Sequence, residues 1–566
     1  MKTIVICPGS RSAPLACAAS FLAKKNALEV QTCIDERSAG FFALGVSAAS
    51  STPTAVITTS GTAVANLLPA AVEADRSCHP IFFISADRPG RLKDCGANQT
   101  VNQEEFLRPV SRYVFNTPLE GLHKINQQQF ITLLSELWLQ VTKFPGPVHL
   151  NIPFEEPIHP SLNEQEDVFR GWHPEDFEII QLQEKDSLPK IYPSLNKIPL
   201  FDDFNKEGII IVGPWRGDEN RLGSYKTSLD LFQKMCDWPI FADPLSGIDS
   251  SQRGLIGYWD LMIDDRFCHK YKSLQILRLG PMPASRGLER WLASINSNQI
   301  LISEGDSRNL DPLKVSSQFN AGFEYWYNQL IFSGNSFKPI ELKLIGELLE
   351  KDRSIDNLLD KELKLNGNIN EPTLARFLSD VIPTSIPIML SASSPIRDWI
   401  TFAGMKTLSR RIFGFRGASG IDGTLSMGMG LSNYLGKIIL VTGDLSLMHD
   451  SNGWLFARDK KIKLIVLLID NFGGGIFHQL PLKLGKNSDF EKYFTMPQLF
   501  DPLTLASSFG ISYRQVSCFE DLEFAIEWGL SSSNTVLIRV VTDSLSDSAL
   551  RTHLRDSAHY LLDKRS

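Results

Sequence analysis

The sequence predicts an α/β protein made of three doubly wound parallel sheets. Short runs of Ile, Leu and Val that do not alternate with polar residues recur along the chain, as expected of strands covered on both faces. Each run ends in a turn rich in Gly, Asp or Ser and leads into a helical pattern, which is the rhythm of βαβ units. The clearest unit covers 438–477. The run 438–442 ends in Gly443-Asp444, the run 462–469 ends in Asp470-Asn471, and a helical crossover joins them. Ligands of open parallel sheets sit beyond the carboxyl ends of strands, and both ends here carry hard oxygen donors. The Asp444 carboxylate, the Asn471 amide oxygen and carbonyls freed by the glycines that follow suit Mg²⁺, which takes few protein oxygens and fills its shell with phosphate and water. An ordinary βαβ unit with an Asp helix cap would show the same pair.

A length of 566 residues gives room for about three or four domains. A chain 43% hydrophobic and 21% charged is an ordinary globular composition. The net charge of −7 offers no general attraction to nucleic acid or to an anionic membrane. No apolar run is long enough to span a bilayer, and the N-terminus reaches Pro8-Gly9 too soon for a signal peptide. Eight cysteines are scattered without a paired motif, which argues against a zinc site or a disulfide framework and fits the cytoplasm.

Taken in order, 3–7 reads as a strand, and Pro8 to Ser12 as a tight turn into a helix near Pro14. Such a turn offers backbone N–H groups, and Arg11 adds a fork for a carboxylate or phosphate. The strand 28–34 ends in Asp35-Glu36 before a helix over 39–49, so Glu36 is either a partly buried functional carboxylate or a helix-start charge. A strand at 55–59, a helix over 63–74 containing Asn66, and a strand at 81–85 complete a first domain spanning 1–160. Residues 155–203, rich in Pro, Glu and Asp, read as a surface linker. A second domain over 200–335 has strands ending near 213, 243, 280 and 303, without a nucleotide-binding glycine motif. After a polar, partly helical connection over 335–371, a third domain occupies 370–566. Its strand 388–390 leads into Ser393 to Arg397, and the small residues of 413–423 permit close backbone approach to a ligand.

The stretches PGSRS (8–12), DERSAGFFALG (35–45), TSGTAVANLLPA (59–70), ADRP (86–89) and DCGANQT (94–100) resemble the pyrimidine-binding domain of thiamine-diphosphate (ThDP) enzymes. Their combination, with ADPLSG (242–247) and RGASGIDG (416–423), resembles one family among them, the 2-succinyl-5-enolpyruvyl-6-hydroxy-3-cyclohexene-1-carboxylate (SEPHCHC) synthases of menaquinone and phylloquinone biosynthesis. SGTAVAN is shared widely among ThDP decarboxylases; PGSRS, DERS and DCGANQ in combination, and above all RGASGIDG, are the specific part. The family usually has a helix before the first strand. It also usually has an Asn-rich run where this chain has Asp470-Asn471-Phe472-Gly473-Gly474, and often a Lys near position 286.

The resemblance implies the three-domain fold of ThDP decarboxylases and decarboxylation of 2-oxoglutarate with addition of the remaining four-carbon unit to isochorismate. An acetolactate-synthase-like carboligase is the alternative. Asp444, Asn471 and the carbonyl of Gly473 would hold Mg²⁺, or Mn²⁺, on the cofactor diphosphate. Ser419, Gly420, Ile421, Gly443, Leu445, Ser446, Gly474, Ile476, Phe477 and Leu480 would line the cofactor, with Ile421 propping its bent form. Glu36 would be catalytic, sharing a proton with the aminopyrimidine ring. Ser10, Arg11, Arg88, Asn98, Gln99, Arg286, Ser393, Arg397 and Arg416 would bind substrate, since a product with three carboxylates calls for guanidinium forks. The implied assembly is a homodimer or a dimer of dimers with the active site at the subunit interface.

Overall fold

The computed structural model describes residues 1–143, 145–159, 161–170, 198–332, 343–480 and 489–564. These residues contain three six-stranded parallel sheets. The first holds β1 (Thr3–Ile6), β2 (Glu29–Thr32), β3 (Thr54–Thr58), β4 (Ile81–Asp87), β5 (Tyr113–Asn116) and β6 (Pro147–Pro153), in the order β2-β1-β3-β4-β6-β5. The second holds β7 (Gly208–Val212), β8 (Ile240–Ala242), β9 (Leu255–Ile256), β10 (Gln275–Leu279), β11 (Gln299–Ile302) and β12 (Ser317–Phe319), in the order β12-β11-β10-β7-β8-β9. The third holds β13 (Ile388–Leu390), β14 (Ile412–Gly414), β15 (Lys437–Gly443), β16 (Lys463–Asp470), β17 (Ser512–Val516) and β18 (Val536–Val541), in the order β14-β13-β15-β16-β18-β17. The first and third sheets therefore share one connectivity. The middle sheet has the doubly wound order that starts at its centre and reverses beside β7.

The apolar runs form strands because both faces are covered. All four residues of β1, all five of β3 and β7, and seven of the eight in β16 are buried. The helices follow the apolar period. Gln127–Lys143 buries Leu133, Leu137 and Val141, four residues apart and on one stripe. The helix expected over 63–74 is instead two helices, Thr62–Asn66 and Leu68–Ser77, because Pro69 cannot continue the first turn's hydrogen bonding. The expected linker likewise contains the helix Leu162–Phe169, started by a capping box in which Ser161 and Glu164 bond each other's backbone N–H. Residues 171–197, the bulk of that linker, and 333–342 of the second connection lie outside the described residues.

The chain forms two compact units. One consists of Met1–Ile191 with Phe415–Gly436 and Met448–Leu464. Its core includes Ile4, Ile57, Phe82, Leu137 and Val148. The helices Glu36–Ser50 and Thr424–Leu435 cross within it at glycines. A Cβ on Gly45 would lie 2.2 Å from the Met427 carbonyl, and one on Gly430 would lie 2.0 Å from the Phe42 carbonyl. The other unit consists of Tyr192–Gly414, Lys437–Leu447 and Ile465–Ser566. Here one hydrophobic cluster runs from Ile209, Phe241 and Trp291 of the middle sheet's layer to Trp399, Val441 and Leu467 of the third. Each fully buried large apolar side chain contributes about 1.5–3 kcal/mol.

Candidate functional site

The second unit builds an oxygen-rich cradle at the ends of two neighbouring strands. Asp444 follows β15 directly and is 4% exposed. Its Oδ1 accepts the N–H of Leu445 at 2.8 Å, and its Oδ2 accepts the N–H of Gly473 at 2.6 Å. Asp470 ends β16, and its Oδ2 takes the Arg539 guanidinium at 2.7 Å. Burial, and then the neighbouring Asp470 charge, push the Asp444 carboxyl up to about 7. Asn471 donates its amide N–H to Glu371 at 2.7 Å, which leaves its Oδ1 buried and without a partner. Gly473 has φ 128°, a conformation open to glycine, and a Cβ there would lie 2.2 Å from the Thr495 carbonyl. A buried carboxylate pressed by a second one, beside an orphaned amide oxygen, is a donor set that a hard divalent cation completes. Among the described residues no group of three or more His, Cys, Asp or Glu side chains is placed to hold a metal ion.

Around this cradle, Gly443 has open space beside its Cα, and Ser446 is buried. Leu445 and Ile476 are half-buried, with Ile476 on the short turn Gly475–Gln479. Phe477 on the same turn meets Phe494 edge-on at 5.8 Å, and Leu480 closes the turn by donating its N–H to the Phe477 carbonyl at 3.2 Å. A Cβ on Gly474 would sit 2.7 Å from the Phe477 ring. At the end of β13, Ser393 has φ 76°, and the exposed Arg397 folds back to donate to its carbonyl at 2.7 Å. Arg286 begins the helix Arg286–Ser294, is exposed, and makes no side-chain hydrogen bond or ion pair among the described residues.

The first unit gathers the N-terminal motifs. Asp35 caps the helix Glu36–Ser50 by accepting the N–H of Arg37 at 2.9 Å. Glu36, half-buried at the first position, accepts the Asn66 amide at 3.3 Å. Arg88 donates to both the carbonyl (3.1 Å) and the side-chain oxygen (3.3 Å) of Gln99, so two predicted binding residues come together. Asn98 beside them is exposed. Arg11 is not an open fork: it donates to the Phe154 carbonyl at 3.0 Å and pairs with Glu156 at 3.1 Å. Ser10 lies 3.4 Å from the His159 ring.

The loop 416–421 belongs to this unit and carries Arg416, Ser419, Gly420 and Ile421. Arg416 and Ile421 are half-buried. Ser419 has φ 62° and donates to the Phe415 carbonyl at 3.1 Å. A Cβ on Gly420 would lie 2.2 Å from the Asp422 carboxylate. The loop hangs on Glu73, which is 4% exposed and accepts the N–H groups of Gly417, Ala418 and Ser419 at 2.8, 2.6 and 3.1 Å. Sequence reasoning missed Glu73. Its signal is a carboxylate in the run of small apolar residues that opens the helix Leu68–Ser77, two positions before Asp75. Gln103, which accepts the Gly61 N–H at 2.8 Å and donates to Asn151 at 2.8 Å, was missed as well. Gln99, Ser393, Ser419 and Phe472 are all non-glycine residues with positive φ, and all lie in the candidate site motifs.

Two sheets of identical connectivity, one of them ending in the cradle of Asp444 and Asn471, define the class. Residues 1–106 match the model of the thiamine pyrophosphate enzyme N-terminal binding domain, and 398–540 match that of the C-terminal binding domain. A putative thiamin diphosphate-dependent enzyme from Mycobacterium smegmatis shares the fold at a TM-score of 0.66 and 14% identity, covering 96% of each chain. The architecture is that of ThDP-dependent enzymes. The chain is also 52% identical to the SEPHCHC synthase of Prochlorococcus marinus strain NATL2A, over 98% of this chain and 94% of that one. It is 46% identical to the SEPHCHC synthase of Parasynechococcus marenigrum, over 99% of both. This chain belongs to the SEPHCHC synthase family.

Proposed function

We propose that the protein decarboxylates 2-oxoglutarate with ThDP and a divalent cation, Mg²⁺ or Mn²⁺, and adds the remaining four-carbon unit to isochorismate, giving SEPHCHC and CO₂. The observation that carries this reading is identity near one half to SEPHCHC synthases over nearly the whole chain. When bound, ThDP supplies the electron sink that loss of CO₂ from a 2-oxo acid requires. The residues of this chain anchor, orient and move protons. Asp444, the Asn471 oxygen and the Gly473 carbonyl would hold the cation that accompanies the diphosphate. Glu36, steadied by the Asn66 amide, holds a proton against the aminopyrimidine ring. Ile421 would prop the bound cofactor, and Ile476, Phe477 and Leu480 would form an apolar wall beside it. Arg88 with Gln99, and Ser393 with Arg397, receive carboxylates and hydroxyls of the two substrates. Arg11 joins them once Glu156, a 55% exposed partner, gives way to substrate.

The division into a 1–160 pyrimidine-binding domain, a 200–335 central domain and a 370–566 diphosphate-binding domain belongs to the same proposal. So does a homodimer or dimer of dimers in which Glu36 of one copy serves the diphosphate anchor of another. Eight free cysteines, and the lack among the described residues of any helix long and apolar enough to cross a membrane, support a cytoplasmic location. The test is direct. Purified protein with ThDP, Mg²⁺ and 2-oxoglutarate should consume isochorismate and yield SEPHCHC by mass spectrometry. Equal turnover with pyruvate in place of 2-oxoglutarate would favour the acetolactate-like alternative.

A further inference from the structure

The Asn471 side chain has two faces, and only one of them can bind a cation. An amide offers an oxygen that accepts and an NH₂ that donates, and rotating it by half a turn exchanges them. What stands behind Asn471 therefore decides what it shows the diphosphate cradle. Behind it stands Glu371, 3% exposed, in the first turn of the helix Glu371–Val381. Its Oε1 accepts the Asn471 amide N–H at 2.7 Å and the Thr542 hydroxyl at 3.4 Å. Its Oε2 takes the Arg551 guanidinium, which also forks onto Asp398, with Nε to Oδ1 at 2.7 Å. The Glu371 N–H is tied to Asp547 at 3.2 Å.

We propose that Glu371 is a positioning residue that locks the Asn471 amide with its oxygen toward the bound cation, with Arg551 holding the Glu371 carboxylate in place. The inference rests on the assignment of Asp444 and Asn471 to the cation. Both carboxylate oxygens of Glu371 are accepting, Oε1 from Asn471 and Thr542 and Oε2 from Arg551, so the NH₂ of Asn471 is the group turned toward Glu371. The oxygen left over is the buried, partnerless Oδ1. Outer partners of this kind orient metal-binding groups, and their loss weakens metal affinity by about 10–100-fold.

The geometry makes Glu371→Gln more informative than a truncation. Arg551 demands an oxygen, so the new amide presents its own oxygen to Arg551 and its NH₂ to Asn471. Asn471 must then rotate, turning its NH₂ toward the cation. Adding Asn471→Asp removes the conflict, because a carboxylate there accepts from the new amide with one oxygen and binds the cation with the other.

The experiment titrates Mn²⁺ into ThDP-saturated protein and follows the signal of free Mn²⁺ by electron paramagnetic resonance. Glu371→Gln should weaken Mn²⁺ by about 10–100-fold, and the Glu371→Gln/Asn471→Asp pair should recover most of that loss. Wild-type Mn²⁺ affinity in folded Glu371→Gln, or a loss that the second substitution leaves in place, overturns the inference. Asp444→Ala separates the underlying assignment: if that variant also binds Mn²⁺ as the wild type does, the cation site itself is misplaced. Should Glu371→Gln fail to fold, Glu371→Asp keeps the charge facing Arg551 and withdraws the acceptor from Asn471. Mn²⁺ affinity several-fold weaker in Glu371→Asp supports the lock, and unchanged affinity refutes it.

Discussion

The carboxylate of Glu73 accepts the backbone N–H of Ala418 at 2.6 Å, across 345 positions of sequence. With Gly417 and Ser419 bonded to the same group, one buried side chain fixes the backbone of the RGASG loop. Backbone N–H groups in so compact a loop have few other partners, and an acceptor with two oxygens satisfies all three.

Replacing Glu73 by Gln leaves one oxygen and sets an NH₂ against the Gly417 N–H. The loss of a buried, charge-assisted acceptor should cost about 1–3 kcal/mol and loosen Ser419, Gly420 and Ile421. We expect a lower melting temperature together with weaker ThDP binding in a fluorescence titration. Unchanged values for both would mean that the loop holds its shape without Glu73.

Much of this was legible in the sequence, for identifiable reasons. Strand ends carry their chemistry in a few adjacent residues, so Asp444 and Asn471 could be read from the apolar runs before them. Glu36 is visible as a carboxylate at a helix start and Asn66 as a polar residue within a run of small apolar ones, and the structure joins them at 3.3 Å. Long-range partners were not legible. Nothing local in the helix Leu68–Ser77 says that Glu73 will meet residue 418, or in the helix Glu371–Val381 that Glu371 will meet Asn471. Pairing of Arg11 with Glu156 was equally hidden, because Glu156 lay in a stretch that composition alone marked as linker.

His149 sets an acid limit for the first unit. Its Nε2 lies 2.8 Å from the Ser85 hydroxyl, which itself donates to Asn151 at 2.7 Å, so the ring N–H faces Ser85. The other ring nitrogen is buried and partnerless, and a second proton there would find no acceptor. Burial, with a smaller push from Arg108, lowers the His149 value to about 4. A depressed histidine contributes stability that is complete above its unfolded value near 6.5 and is lost as pH falls toward 4. Thermal melts of cofactor-free protein should therefore drop across that window. His149→Gln, which keeps a donor toward Ser85, should show a smaller drop. An identical pH profile in the variant would assign the acid loss to other groups.

Glu36 separates anchoring from activation. The proposed cation anchor, Asp444 with Asn471, lies in the second unit, while Glu36 begins a helix of the first. Glu36→Gln preserves size and can still accept the Asn66 amide at its remaining oxygen, so the fold and most of the cofactor affinity should persist. What the amide cannot do is share a proton with a ring nitrogen. The effect should then fall on kcat, by about 10²–10⁴-fold, with a much smaller change in ThDP affinity. Exchange of the cofactor C2 proton with deuterium, measured by quenched-flow NMR before any substrate is added, isolates that step. It should be slowed to a similar degree in the variant. Wild-type exchange with cofactor bound would leave Glu36 as a helix-start carboxylate that complements the dipole, and the activating group would have to be sought elsewhere.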